Sequence, residues 1–134
     1  MKSKKILVVD DDPDILDAIS MILESRGYHL IFAYDGSECL DKLSSEKPDL
    51  MILDLLLPKM DGFAVYKELQ SPQWSEYRGM PILILSSVRE EASRRRYELE
   101  TGQDLKPDEY VEKPIMPGTL LGCVEKLLER KQRV

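Results

Sequence analysis

The stretch LVVDDDPD (residues 7–14) sets four carboxylates behind an apolar run, three of them consecutive at Asp10, Asp11 and Asp12. Like charges about 4 Å apart repel by on the order of 4 kcal/mol at an effective dielectric near 20, so the cluster asks for a hard cation. Magnesium suits it, because it takes one or two carboxylates, keeps several waters and leaves room for phosphate oxygens. A further carboxylate, Asp54, stands inside the apolar stretch MILDLLLP (residues 51–58). A carboxylate so placed is a candidate nucleophile that carries a phosphoryl group covalently. Such a transfer needs charge neutralised on the phosphoryl oxygens, and a metal, an ammonium and a hydroxyl can each contribute. Lys113 and Ser86 offer the last two. Each residue alone has a plainer reading. An aspartate beside a helix start is favoured by the helix dipole, a serine after an apolar run serves as a turn or cap, and a lysine belongs on the surface.

What joins these residues is the elements that carry them. KKILVV (4–9) is a short, uninterrupted apolar run, as expected of a strand buried on both faces. Behind it, Ile15, Ala18, Ile19, Ile22 and Leu23 follow the spacing of an amphipathic helix. Asp12 and Pro13 form its start signal, Asp14 lies in its first turn, and Gly27 stops it. The alternation then repeats. HLIFA (29–33), LMILDL (50–55), PILILS (81–86) and EYVE (109–112) read as strands. GSECLDKLSSE (36–46), FAVYKEL (63–69) and REEASRRRYELE (89–100) read as helices, as does a last segment with Leu120, Leu121, Val124, Leu127 and Leu128 on one face. The fourth helix has few apolar residues and three arginines, so its contact with the core should be thin. Strands alternating with helices predict an α/β fold with a parallel sheet covered on both faces. Ligands of such sheets bind beyond the carboxyl ends of the strands, where strand order reverses. Asp10 and Asp11 close the first strand, Asp54 the third and Ser86 the fourth, and Lys113 follows the fifth. Residues far apart in sequence therefore meet at one edge, which points to a site.

The bulk properties narrow the function. The length of 134 residues predicts one domain (1–134) with a single sizeable core. A formal charge of −6 disfavours direct contact with a nucleic acid, and the runs RRR (94–96) and ERKQR (129–133) read as solvated helix faces. Cys39 and Cys123 lie in helical apolar patterns without metal-ligand spacing and read as free core thiols of a reducing compartment. No apolar run approaches the roughly 20 residues of a membrane span, and the acidic cluster follows the N-terminal apolar run too closely for a secretory signal. A cytoplasmic protein with no membrane partner is expected. Neither G-x-G-x-x-G nor G-x-x-x-x-G-K-[ST] occurs, which disfavours a nucleotide-binding fold.

The elements ILVVDD, LDLLLPKMDG, PILILSS and YVEKP, in that order, resemble the CheY-like receiver domain of bacterial two-component response regulators over the whole chain. That resemblance implies a flavodoxin-like (βα)5 fold with a five-stranded sheet in the order 2-1-3-4-5. It implies a signalling phosphoacceptor that is not an enzyme. Asp54 would take the phosphoryl group from a sensor histidine kinase or phosphotransfer protein. Asp10, Asp11, Asp54 and the backbone carbonyl of Leu56 would hold Mg2+. Ser86 and Lys113 would contact the phosphoryl oxygens, Ser87 would keep access to Asp54 open, and Tyr110 would be the aromatic switch. The Lys113–Pro114 bond would be cis. Phosphorylation would reshape a face that docks a downstream protein or pairs two copies. No output domain is expected within these 134 residues, which read either as a stand-alone receiver that acts by docking or as a fragment of a longer protein.

Two other readings compete. A degenerate receiver would dock partners without taking phosphate. A magnesium-dependent phosphohydrolase would carry a second acid two residues after its nucleophile, where Leu56 stands. Two stretches depart from the family pattern. TGQDLKPDEY (101–110) makes the span from Ser86 to Lys113 longer than usual, and SPQWSEYRGMP (71–81) is also long. Trp74 and Tyr77 in the latter are expected to pack over the third helix. The resemblance implies that Leu56 and Val88 flank the path of an attacking water, and their apolar side chains predict a long-lived phosphoryl group.

Overall fold

A computed structural model describes residues 3–87, 91–102 and 107–132. Its sheet has five parallel strands in the order β2-β1-β3-β4-β5, which is the order the resemblance implies. They are β1 (Lys5–Val9), β2 (His29–Ala33), β3 (Leu50–Asp54), β4 (Ile82–Ser86) and β5 (Glu109–Glu112). Between and after them run α1 (Pro13–Glu24), α2 (Gly36–Glu46), α3 (Gly62–Leu69), α4 (Glu91–Thr101) and α5 (Pro117–Gln132).

The sequence pattern explains this order. β3 is buried at all five positions and β1 at the last four, so both lie inside the sheet. A strand covered on both faces has no polar side to show, hence the unbroken runs KILVV and LMILD. β2 and β5 alternate in burial as edge strands do. Side chains alternate across the sheet, so two cores form. Leu7, Met51, Leu53 and Ile84 pack beneath α2, α3 and Tyr97 of α4. Ile6, Val8, Ile52, Leu83 and Leu85 pack beneath α1 and α5. Each such residue contributes roughly 1.5–3 kcal/mol by burial.

Four expectations are refined. Leu55 leaves the strand and opens the following loop, although it stays fully buried. The segment before β4 contains a short 3-10 helix, Pro72–Tyr77, that no apolar period announced. Its Trp74 indole nitrogen donates to Glu68 of α3 at 3.1 Å, and the Tyr77 hydroxyl donates to the Leu43 carbonyl of α2 at 2.8 Å. Tyr77 thus reaches past the third helix to the second. Cys39 is buried and Cys123 only half-buried, both as free thiols. Among the described side chains of α4, Tyr97 alone is buried, so its thin core contact holds. Among the described residues, no helix is long and apolar enough to cross a membrane. Val88 and residues 103–106 of the long exit segment lie outside the described residues.

Candidate functional site

β1 delivers the first carboxylate. Beyond Val9, the Asp10 amide still bonds to the Ala33 carbonyl of β2 at 3.1 Å, which holds the residue at the end of the ladder. The Asp10 side chain turns inward and is fully buried. Its Oδ1 accepts the Asp12 amide at 2.9 Å, and Asp12 in turn caps α1 by accepting the Asp14 amide at 2.9 Å. The acids of the cluster therefore divide between the site and the helix start, while Asp11 stays exposed.

β3 delivers the second. Asp54 is its last residue, 3% exposed, and Oδ1 accepts the Leu56 amide at 3.3 Å. Gly62, the first residue of α3, packs directly on that strand end. Its amide bonds to the Leu55 carbonyl at 2.9 Å, and a Cβ there would overlap the Asp54 carbonyl and lie 2.6 Å from the Leu55 Cα.

β5 delivers the cation. Its exit is tied to β4, since the Lys113 amide bonds to the Ser86 carbonyl at 2.9 Å, and the Lys113–Pro114 bond is cis. The ammonium lies 3.2 Å from Asp10 Oδ2 and 3.5 Å from Asp54 Oδ2. Asp10 Oδ2 has charge contact at that distance but no aligned hydrogen bond, and it is buried.

The electrostatics follow from this crowding. Burial pushes the Asp54 carboxyl up to about 6, the charge of Asp10 adds to the rise, and Lys113 only partly offsets it. Burial likewise raises Asp10 against the pull of the Asp12 amide and Lys113. Burial works against the Lys113 ammonium too, but Asp54 and Asp10 outweigh it and hold the lysine above its ordinary range. Two buried carboxylates thus share one ammonium, and the balance favours a further cation. Oxygens of Asp10, Asp11 and Asp54 all come within 4.8 Å of one another. An all-oxygen donor set in which two buried carboxylates have one ammonium to share fits a hard divalent ion such as magnesium.

An open cleft unites Asp10, Asp11, Asp54, Leu56, Ser87 and Lys113. Ser86 is half-buried and does not line it. Ser86 and Ile84 share one face of β4, and Tyr110 is the register partner of Ile84, so Ser86 and Tyr110 lie on the same side of the sheet. Tyr110 is 38% exposed, with the Arg94 guanidinium 5.0 Å above its ring.

The sequence reading missed two further acids, which start the helices α2 and α3. Asp35 caps α2 by accepting the Glu38 amide at 2.8 Å and pairs with Lys59 at 3.5 Å, while Asp61 caps α3 by accepting the Ala64 amide at 2.9 Å. The D-x-x-E pattern at Asp35–Glu38 was the available signal for the first cap.

Comparison with known proteins gives a consistent picture. The response regulator receiver domain family matches residues 6–125. The alkaline phosphatase synthesis transcriptional regulatory protein PhoP of Bacillus subtilis is 39% identical over 130 residues, covering 97% of this chain and 50% of that protein. The response regulator MprA of Mycobacterium bovis is 36% identical over 128 residues, covering 96% and 52%. The chain spans about half the length of the curated relatives it matches. Among solved structures, the signal receiver domain of a histidine kinase from Syntrophus aciditrophicus superposes with a TM-score of 0.82 at 30% identity, covering 98% and 95% of the two chains. The chemotaxis protein CheY4 of Vibrio cholerae gives 0.75 at 29% identity, covering 94% and 99%.

Proposed function

Because the chain belongs to the response regulator receiver family of two-component systems, we propose that it is a phosphoryl-accepting switch with Asp54 as the acceptor. Residues 1–134 act as one receiver unit in the cytoplasm. The carrying observation is Asp54 itself: a strand-end carboxylate, 3% exposed, that shares one ammonium with a second buried carboxylate.

Asp10, Asp11, Asp54 and the Leu56 carbonyl would hold Mg2+, which supplies positive charge for the phosphoryl oxygens and for the crowded carboxylates. A carboxylate oxygen of Asp54 attacks phosphorus while the bond from phosphorus to the donor histidine nitrogen breaks. Lys113 pairs with a phosphoryl oxygen in place of part of its present contact with Asp54. Ser86 then turns to bond another oxygen, and Ser87, being small, leaves the approach open. Tyr110, on the same sheet face as Ser86, turns inward as Ser86 leaves. A local charge event so biases a two-state element, the face of α4, β5 and α5. That face docks a downstream protein or a second copy.

Leu56 at the second position after Asp54 gives no acid or base to activate water, which disfavours the phosphohydrolase reading. The test is intact mass after incubation with acetyl phosphate, with and without magnesium, beside Asp54→Asn. A magnesium-dependent gain of one phosphoryl group, absent in the variant, supports the switch. No gain from acetyl phosphate or from a phosphorylated histidine donor overturns it in favour of a phosphate-independent docking module.

A further inference from the structure

The loop between β3 and α3 carries Leu56, and besides its own flanking elements it is held by α2. Gly36, the first residue of α2, faces the backbone of Met60 so closely that a Cβ there would overlap the Met60 carbonyl and lie 2.8 Å from the Met60 Cβ. Only a glycine lets these two segments meet. Beside this contact, Asp35 Oδ2 lies 3.5 Å from the Lys59 ammonium. Asp35 is held in place by its capping bond from the Glu38 amide, which together with Lys59 keeps its carboxyl below the usual range. Lys59 itself adopts φ of 63°, a left-handed conformation that a side chain disfavours and that surrounding contacts must sustain. At the other end, Gly62 presses on the Asp54 carbonyl. In between, Leu57 and Met60 pack into the core beneath α2 and α3, which leaves Leu56 on the cleft side.

We propose that the first turn of α2 is a positioning device for the metal end of the site, in which Gly36 and the Asp35–Lys59 pair hold the β3–α3 loop so that Leu56 stands in register with Asp10, Asp11 and Asp54. This rests on the reading of the cleft as a magnesium site. The device reaches across the sheet, because α2 follows the edge strand β2 while the loop follows β3, with β1 between them. Asp35, Gly36 and Lys59 are positioning residues that touch no ligand.

The test is calorimetric titration of magnesium into the unphosphorylated chain, alongside its thermal midpoint, for wild type, Lys59→Ala, Lys59→Arg and Gly36→Ala. Gly36→Ala should weaken magnesium binding roughly ten-fold or more, as loss of an outer support does in metal sites. Lys59→Ala should weaken it about two- to five-fold, the range of an exposed ion pair, with little change in midpoint. Lys59→Arg should bind as wild type. The sign discriminates: if Lys59 acted only through its charge, its removal would tighten binding of a divalent cation. Tighter or unchanged binding by Lys59→Ala, or equal weakening by Lys59→Arg, overturns the device while leaving the magnesium site standing. Absence of magnesium binding by the wild-type chain overturns both. The two Lys59 variants decide the matter alone if Gly36→Ala does not fold.

Discussion

A carboxylate whose protonation midpoint sits at about 6 instead of 3.8 is one whose charge the fold resists, and Asp54 is such a group. The folded chain holds the Asp54 proton more tightly than the unfolded chain. Its contribution to stability is therefore fully present below about pH 4 and lost as pH rises through about 6. The lost amount is on the order of 2–3 kcal/mol, since each tenfold difference in proton affinity between the two states is worth about 1.4 kcal/mol. In the absence of divalent cation, Asp54→Asn should melt several degrees above wild type at pH 8 and no higher at pH 4. Thermal melts in chelator across that range check this, and a variant no more stable than wild type at pH 8 contradicts it. Leu56 makes the next case. Its side chain lines the cleft but offers no hydrogen bond to a water attacking the phosphoryl group. The phosphoryl group of the wild-type chain should be long-lived, and Leu56→Glu should shorten its lifetime roughly ten-fold, well short of a full general base at 10²–10⁴-fold. Decay of the phosphorylated mass with time gives both lifetimes. Rapid loss from the wild type would mean that another group orients the water.

The α-helices differ in how many buried side chains tie them down, and among the described side chains α4 has the fewest. Tyr97 packs its ring 5.7 Å from Phe63 and 6.2 Å from Tyr66, both on α3, and no other described side chain of α4 is buried. Tyr97→Ala should cost the docking of α4 on the order of 3 kcal/mol. Hydrogen exchange of its amides should then speed by about two orders of magnitude, while the amides of β1 and β3 barely change. Uniform acceleration across the sheet would show instead that α4 unfolds only with the whole. An element with a single buried anchor among its described side chains can shift when its neighbours change, as a switch face requires. Arg94 over the Tyr110 ring adds a weak second tie of about 0.5–1 kcal/mol. The thin hold of α4 was legible in REEASRRRYELE, which lacks an apolar stripe. β1, β3 and α1 were legible for the opposite reason, since burial writes a run or a 3.6-residue period into the sequence. The helix at Pro72–Tyr77 was not, because six residues opened by proline carry no period. The strand ends gave away Asp10, Asp54 and Lys113, whereas the meeting of Gly36 with Met60 joins two segments whose local patterns say nothing of each other. Ser87, not Ser86, lines the cleft because side chains alternate along β4, and that phase is set by Ile82 and Ile84 facing the α2–α4 core.

At the scale of the molecule, the carboxylates at one end of the sheet are a cost that the rest of the fold offsets. A net charge of −6 sets a background that already repels further negative charge, and Asp10 and Asp54 are buried against it with one ammonium between them. A ligand that binds the folded chain and not the unfolded one stabilises it by RT ln(1 + [L]/Kd). Magnesium at about 100 times its Kd would therefore contribute about 2.7 kcal/mol. Near 4 °C per kcal/mol for a domain of this size, the midpoint should rise by roughly 10 °C. Sodium at equal ionic strength should do far less, because it screens charges at the surface without entering the site. Chelator should reverse the rise. Asp10→Asn should start from a higher midpoint than wild type, since the variant buries no charge there, yet gain little from magnesium. The two effects have opposite signs in one protein, so a general loss of foldedness cannot imitate the pair. If the variant gains as much from magnesium as the wild type does, the ion binds elsewhere on the acidic surface, and the buried carboxylate is not its ligand.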